Sequence, residues 1–192
     1  MKEKNEVQEN VGSKKLRITL PFVVSLVGIL ITVISLLLPY ITAVGDLAKY
    51  IEKFPDVILE ETLGLTTDDF ANVSIISVSN LITSVYGEDN GAITNAIVLA
   101  FGGFLALTAL FVILKKPIAT MIFDLLAYGT FFVLNSLMKE FYIAADKYAW
   151  GFGYYAMMIS IVAVFVCAIW MLITKIIMKR QAKKAMASNS IE

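Results

Sequence analysis

Four apolar segments divide this chain, and each is long enough to cross a lipid bilayer. We expect the spans at about residues 20–39, 93–114, 117–138 and 154–174. The hydrocarbon core of a bilayer is roughly 30 Å thick, and a helix rising about 1.5 Å per residue crosses it in about 20 residues. The sequence therefore predicts an all-α membrane protein, built as a four-transmembrane-helix bundle.

The amino-acid composition also indicates a protein that is surrounded by lipid. Hydrophobic residues make up 58% of the 192 residues and charged residues only 17%, with a mean hydropathy of +0.78. Soluble domains carry about 25% charged residues, so lipid surrounds much of this surface. We expect one membrane domain at residues 18–174, between a polar tail at 1–17 and a basic tail at 175–192, because no other stretch is long enough to build a second core.

The basic residues are distributed unequally between the two expected sides of the membrane. Twelve of the sixteen lie in the two tails and in the turn at residues 115–116, and four lie in the loops 46–89 and 139–153. Short segments rich in Lys and Arg stay in the cytoplasm, so we expect cytoplasmic termini and outward-facing loops. The basic C-terminal tail is also expected to attract anionic lipid headgroups. The abundance of lysine and isoleucine, with a single cysteine, favours a bacterial plasma membrane.

The first outer loop, residues 46–89, is strongly acidic. Against two lysines, Lys49 and Lys53, it carries nine acids. They are Asp46, Glu52, Asp56, Glu60, Glu61, Asp68, Asp69, Glu88 and Asp89. The run Thr66, Thr67, Asp68, Asp69 and Phe70 predicts a helix start, because a threonine there can cap the helix and the dipole of the first turn favours the two acids. We expect this loop to form a small extracytoplasmic cap.

Residues 70–86 allow two interpretations. The alternation of apolar residues over 73–78 favours a strand, whereas the spacing of Phe70, Val73, Ser77 and Leu81 favours a helix. We favour the helix, because a lone strand would leave unpaired edges near the membrane.

The second outer loop and the start of the last span are rich in aromatic residues. They are Phe141, Tyr142, Tyr148, Trp150, Phe152, Tyr154 and Tyr155. Amphipathic rings settle at headgroup depth, so we expect an aromatic belt here rather than a site that stacks on a ligand.

Asp124 is the one ionisable residue at membrane depth, where a charge costs about 2.5 kcal/mol or more. It shares a polar stripe of the third span with Thr120, Tyr128 and Asn135. One hypothesis is a protonated acid bonded to a hydroxyl such as that of Tyr128, and another is the anionic end of a small-cation or proton site. The structural alternative is a neutral acid that bridges helices, or an acid reached by water and Lys116.

Small side chains recur along two spans. The last span carries a seam of them: Gly153, Ala156, Ser160, Ala163 and Cys167. The first span carries a similar face: Ser25, Gly28, Thr32 and Ser35. Such residues let helix backbones approach closely, so the sequence predicts that each of these faces packs tightly on a neighbouring helix.

The residue types that most catalytic and metal sites use are absent from this chain or occur only once. The chain has no histidine, and Cys167 is its only cysteine, which we interpret as a small buried apolar residue. The chain therefore cannot form a Ser-His or Cys-His pair. It cannot form a C-x-x-C motif or a zinc cluster either. The G-x-S-x-G, H-E-x-x-H and P-loop motifs are absent too. We expect no enzymatic activity, no cofactor, no metal and no nucleic-acid partner.

The expected architecture resembles that of claudins and tetraspanins. It shares with them four spans, two cytoplasmic tails, a large first outer loop and a short second one. Those families carry cysteine motifs in an outer loop that this chain lacks, so the resemblance concerns architecture alone. We expect this chain to be an accessory or scaffold subunit, or an immunity or sensor-type protein. Apart from the lipid bilayer, its partner is expected to be another protein or a second copy of the chain, and the acidic outer loop is expected to bind that partner. The alternative is small-ion or proton translocation by an oligomer that uses Asp124.

Overall fold

The computed structural model describes residues 20–53, 66–140 and 146–189, and most of these residues are helical. The helices of this part are α1 (Leu20–Ser35), α2 (Gly45–Ile51), α3 (Thr67–Ala71), α4 (Val78–Tyr86), α5 (Glu88–Ile113), α6 (Pro117–Met138) and α7 (Phe152–Asn189). Its strands are β1 (Pro39–Ala43), β2 (Asn72–Ser74) and β3 (Tyr148–Trp150).

Three of the described helices are long and apolar enough to cross a membrane. They are α5, α6 and the part of α7 from Phe152 to Lys183, with mean hydropathies of 2.6, 1.7 and 2.7. The prediction of a largely helical chain, with helices long and apolar enough to cross a membrane, is therefore confirmed. The apolar helix α1 is shorter and ends at Ser35 rather than at residue 39, because the chain turns at 36–38 and Pro39 begins β1.

Two of the long helices extend past the limits that hydropathy predicts. α5 begins at Glu88 rather than near residue 93, directly after Gly87, whose φ of 91° is one that glycine adopts without strain. Its first turn contains Glu88 and Asp89, where the helix dipole favours negative charge. α7 continues to Asn189, well beyond residue 174. Charged residues thus belong to both helices, and at the start of α5 the helix dipole supports them.

A tight turn joins α5 to α6. Lys115 adopts a left-handed φ of 53°, and Pro117 occupies the start of α6, where its missing N–H costs nothing. On the two sides of the turn, the rings of Phe111 and Phe123 stack with centroids 5.2 Å apart. The two helices are antiparallel neighbours, as a turn of a few residues requires.

A three-stranded antiparallel sheet, in the order β2-β1-β3, joins three distant segments of the chain. Ile41 of β1 lies opposite Val73 on one side and Trp150 on the other. The prediction of a continuous helix over 70–86 was wrong in part, because β2 separates α3 from α4. The strand β2 is not alone, because it pairs with β1, which covers the end of the predicted first span and the residues just after it.

One apolar core connects this sheet to the long helices. Tyr40 and Val73 from the strands are fully buried in the same cluster as Phe101 of α5 and Phe131 of α6. The rings of Tyr40 and Phe131 meet edge to face at 6.1 Å. We call β1, α2, α3, β2, α4 and β3 together the sheet region. Its apolar side rests directly on the ends of the long helices.

Candidate functional site

Asp124 lies on the buried face of α6. The residue is only 2% exposed, and its Oδ2 atom has no hydrogen-bond partner within 20–53, 66–140 or 146–189. The hypothesised hydrogen bond to Tyr128 is not formed, and Asp124 makes no ion pair with any described residue. Burying a polar oxygen without a partner is costly. This orphaned oxygen therefore makes Asp124 the candidate site within the long helices.

The neighbouring helix offers Asp124 no donor at its level. Phe123 stacks on Phe111 of α5, so Thr108 lies within about one helical turn of Asp124 in height. Thr108 is buried, but its hydroxyl donates to the backbone carbonyl of Phe104 at 2.9 Å. A threonine that bonds its own helix in this way does not satisfy the carboxyl group.

The other three residues of the polar stripe lie in three different environments. Thr120 is fully buried, and its hydroxyl donates to the carbonyl of Lys116 at 3.1 Å. Tyr128 is 36% exposed. Asn135 is half-buried and accepts a hydrogen bond from the hydroxyl of Tyr40. The structure therefore does not gather the stripe into one site.

The small residues of α7 face α1, which runs antiparallel to it. Thr32 and Ser160 share a hydrogen bond of 2.8 Å between their hydroxyl oxygens. A Cβ atom on Gly28 would lie 2.8 Å from Cγ2 of Val164 and 3.5 Å from the carbonyl oxygen of Ser160. The two backbones approach so closely here because glycine and hydroxyl-bearing residues occupy the contact.

The contact between α1 and α7 extends to both ends of the seam, while Ala156 and Ala163 between those ends are half-buried. The buried thiol of Cys167 is within hydrogen-bonding reach of Ser25. At the other end, a Cβ on Gly153 would lie 2.8 Å from the carbonyl oxygen of Leu38. The seam therefore contacts α1 and the segment that leads from α1 into β1.

Two buried tyrosines connect the sheet region to its surroundings. The Tyr40 hydroxyl donates to Oδ1 of Asn135, and the Tyr148 hydroxyl donates to the carbonyl of Phe70 at 2.9 Å. Burial raises the pKa of both tyrosines, and Tyr154 adds to the rise at Tyr40. Both phenols act as hydrogen-bond donors, and their raised pKa keeps them protonated to higher pH than an exposed tyrosine.

The acidic loop falls partly outside the described residues, since Asp56, Glu60 and Glu61 lie there. Asp46 pairs with Lys49 at 3.4 Å, and no other ion pair occurs in the part of the chain that the structure covers. Both partners are exposed, so water weakens their attraction. The remaining described acids of this loop have no described basic side chain at ion-pair distance.

The helix start predicted at residues 66–70 is confirmed. Thr66 and Asp69 form a capping box at the start of α3, and Asp68 accepts a hydrogen bond of 3.0 Å from the side chain of Asn72. Nearby, Glu52 and Asp68 line a cavity of about 410 Å³ between β1, α2 and α3. Within the described ranges no three acids or cysteines come close enough together to bind a metal.

Sequence reasoning missed the part that β1 plays. Residues 39–43, Pro-Tyr-Ile-Thr-Ala, combine aromatic and β-branched residues, which is a strand signal that the preceding apolar run obscured. Comparison of the chain with models of known protein families, with curated proteins and with solved structures finds no match.

Proposed function

We propose that the chain crosses a bacterial plasma membrane four times, with both termini in the cytoplasm and the sheet region outside as a cap. The fourth crossing is supported by α1, because residues 18–45 carry no charge and α1 contacts α7 along its length. The Nζ atom of Lys115 lies 5.0 Å from the ring of Phe22, so the start of α1 is beside the basic turn between α5 and α6. The distribution of basic residues supports the orientation.

We further propose that the protein has a non-enzymatic role and binds a partner protein through its acidic cap. The observation that carries this proposal is the charge of the cap: among the described residues only Asp46 has a basic partner. Glu52 and Asp68 lie together on an open cavity, where they are available to a ligand. A basic protein surface would complement this charge, and electrostatic complementarity gives such an interface specificity and a high association rate. Another protein or a second copy of the chain would supply that surface.

Substitution of the two cavity acids tests the proposal. The tagged full chain, purified from its native membrane in mild detergent, should retain a basic partner that high salt releases. Glu52→Gln combined with Asp68→Asn should lower its recovery about tenfold, because interface charge pairs are lost. Lys49→Gln combined with Lys53→Gln changes the same surface in the opposite sense and should keep or increase recovery. Equal recovery with the two double variants would contradict the proposal.

A second candidate function is translocation of protons or a small cation by a homo-oligomer. The specific observation in its favour is Oδ2 of Asp124, an oxygen that is buried without a partner in the described structure. A carboxyl group in this position can bind a proton or a cation in transit. An oligomer would be needed because four helices leave little room for a pore.

Flux measurements in liposomes test this second candidate. Purified wild-type protein should carry protons or a monovalent cation, and Asp124→Asn should abolish the flux because the amide cannot ionise. Tyr128→Phe is the matched control, since Tyr128 lies on an exposed flank of the same helix and its loss should leave the flux unchanged. Flux that survives Asp124→Asn, or wild-type protein that carries none, would exclude the candidate.

A further inference from the structure

A basic groove lies where α6 begins, next to the C-terminal half of α7. Its cavity measures about 490 Å³, within the range of small-molecule sites. Three lysines line it: Lys116 from the start of α6, and Lys175 and Lys179 from α7. The rest of the lining is apolar and comes from Pro117, Ile118, Ala119, Ile122, Leu172 and Ile176.

The spacing along α7 explains why charge and apolar surface meet in one groove. Lys175 and Ile176 lie three and four residues after Leu172, and Lys179 lies four and three residues after them, so the four residues share one face of the helix. Along that face the apolar residues begin deeper in the span, and the two lysines lie toward its end. Lys116 adds a third charge from the opposite wall.

Among the described residues these three lysines have no neutralising partner. No described acid lies at ion-pair distance from any of them. The neighbouring Lys115 differs, because its Nζ lies over the ring of Phe22 on the other side of the turn. Three like charges around one cavity repel one another, and the N-terminal end of α6 adds partial positive charge. An anion in the groove would relieve this repulsion.

The apolar part of the groove opens sideways. Ile118, Ile122 and Ile176 are 60%, 53% and 45% exposed, on the surface where the long helices would meet lipid. A free inorganic anion would use the lysines but leave this apolar lining without a contact. A molecule with an anionic head and a hydrocarbon chain would use both.

We propose that this groove binds one anionic phospholipid, with its phosphate among the three lysines and the start of an acyl chain against the isoleucines. Basic pockets between spans at the cytoplasmic boundary suit such headgroups. The site is separate from the acidic cap and does not depend on partner binding there.

Lipid titration of the delipidated full chain, read by native mass spectrometry, tests the proposal. Phosphatidylglycerol should bind more tightly than phosphatidylcholine. Each basic residue near an anionic headgroup strengthens binding about fivefold, so the triple substitution Lys116→Gln, Lys175→Gln and Lys179→Gln should weaken phosphatidylglycerol binding about 100-fold. Phosphatidylcholine binding should hardly change.

A second triple variant separates the groove from general charge. Lys115→Gln, Arg180→Gln and Lys183→Gln remove the same charge from residues that do not line the groove, and this variant should keep the preference. Equal losses in the two triple variants would overturn the proposal in favour of non-specific attraction. Wild-type protein that prefers neither lipid, or lipid displaced by millimolar inorganic phosphate, would also overturn it. Circular dichroism of each variant checks that the fold is intact.

Discussion

Replacing Gly153 by alanine should destabilise the protein, although alanine is the better helix former. A Cβ atom at this position would lie 2.8 Å from the carbonyl oxygen of Leu38 and 2.9 Å from that of Pro39. Non-bonded heavy atoms prefer separations of roughly 3.5 Å. Both oxygens belong to the backbone, one just before β1 and one in its first residue, so they cannot rotate away as the end of a side chain would. Either the start of α7 or the start of β1 has to move.

The size of the effect follows from two opposing terms. Overpacking a well-packed contact costs about 1–3 kcal/mol, whereas replacing glycine by alanine inside a helix gains up to about 1 kcal/mol. Gly153 is the second residue of α7, so little of that gain applies and a net loss of about 1–2 kcal/mol remains. At Gly129 a Cβ would meet nothing within 4 Å. Gly129→Ala is therefore the matched control, with a gain of up to about 1 kcal/mol.

The single cysteine provides the assay. Cys167 is buried beside Ser25, so a thiol-reactive dye labels it when α1 separates from α7 or the chain unfolds. Heating in detergent should give Gly153→Ala a midpoint roughly 2–12 °C below that of Gly129→Ala, because the two variants differ by about 1–3 kcal/mol and 1 kcal/mol shifts a protein of this size by about 2–4 °C. A midpoint at or above that of the control would refute the close approach of α7 to the end of α1.

Further predictions concern hydroxyl groups. Thr32→Val and Ser160→Ala should each lower the dye-labelling midpoint, and the double variant should reveal a coupling of about 0.6 kcal/mol because the two share one hydrogen bond. Tyr148→Phe should cost about 1 kcal/mol in denaturant unfolding, since the carbonyl of Phe70 loses a donor. Burial raises the pKa of Tyr40 and Tyr148 above the ordinary value of 10, so both phenols are protonated below pH 10 whether the chain is folded or not. Stability should be level up to about pH 10 and fall above it, where unfolding releases protons; Tyr40→Phe should reduce that fall in unfolding midpoints measured from pH 8 to 12.

The long helices were predictable because their signal is local. An uninterrupted apolar run of sufficient length indicates a span wherever it occurs, and α5, α6 and α7 agree with this rule. The sheet was not predictable in the same way. β1 pairs with β2 and β3, and both partners lie far along the chain, where no local pattern points back to β1. The prediction of a helix over 70–86 failed at β2 because it considered that strand without its partner.

The polar stripe of α6 shows a different limit. Spacings of four residues drift by about 40° per step, so Tyr128 sits about 80° away from Thr120 and reaches the exposed flank. The buried face instead alternates steps of four and three. It comprises Thr120, Asp124, Ala127, Phe131, Leu134 and Met138. Asp124 lies on this face because of its position among apolar neighbours, and the sequence alone could not show that its Oδ2 atom would lack a partner.

Asp124 and the cap are connected through α6, and the distance between them determines whether their proposed functions are separable. Asn135, which bonds Tyr40 of β1, lies about 16 Å farther along the helix than Asp124. Asp124→Asn preserves the size of the side chain, so the contact of Phe131 with Tyr40 should persist. We therefore expect this substitution to abolish ion flux without reducing capture of the basic partner. If capture falls as well, α6 transmits the change to β1, and the two candidates are parts of one function.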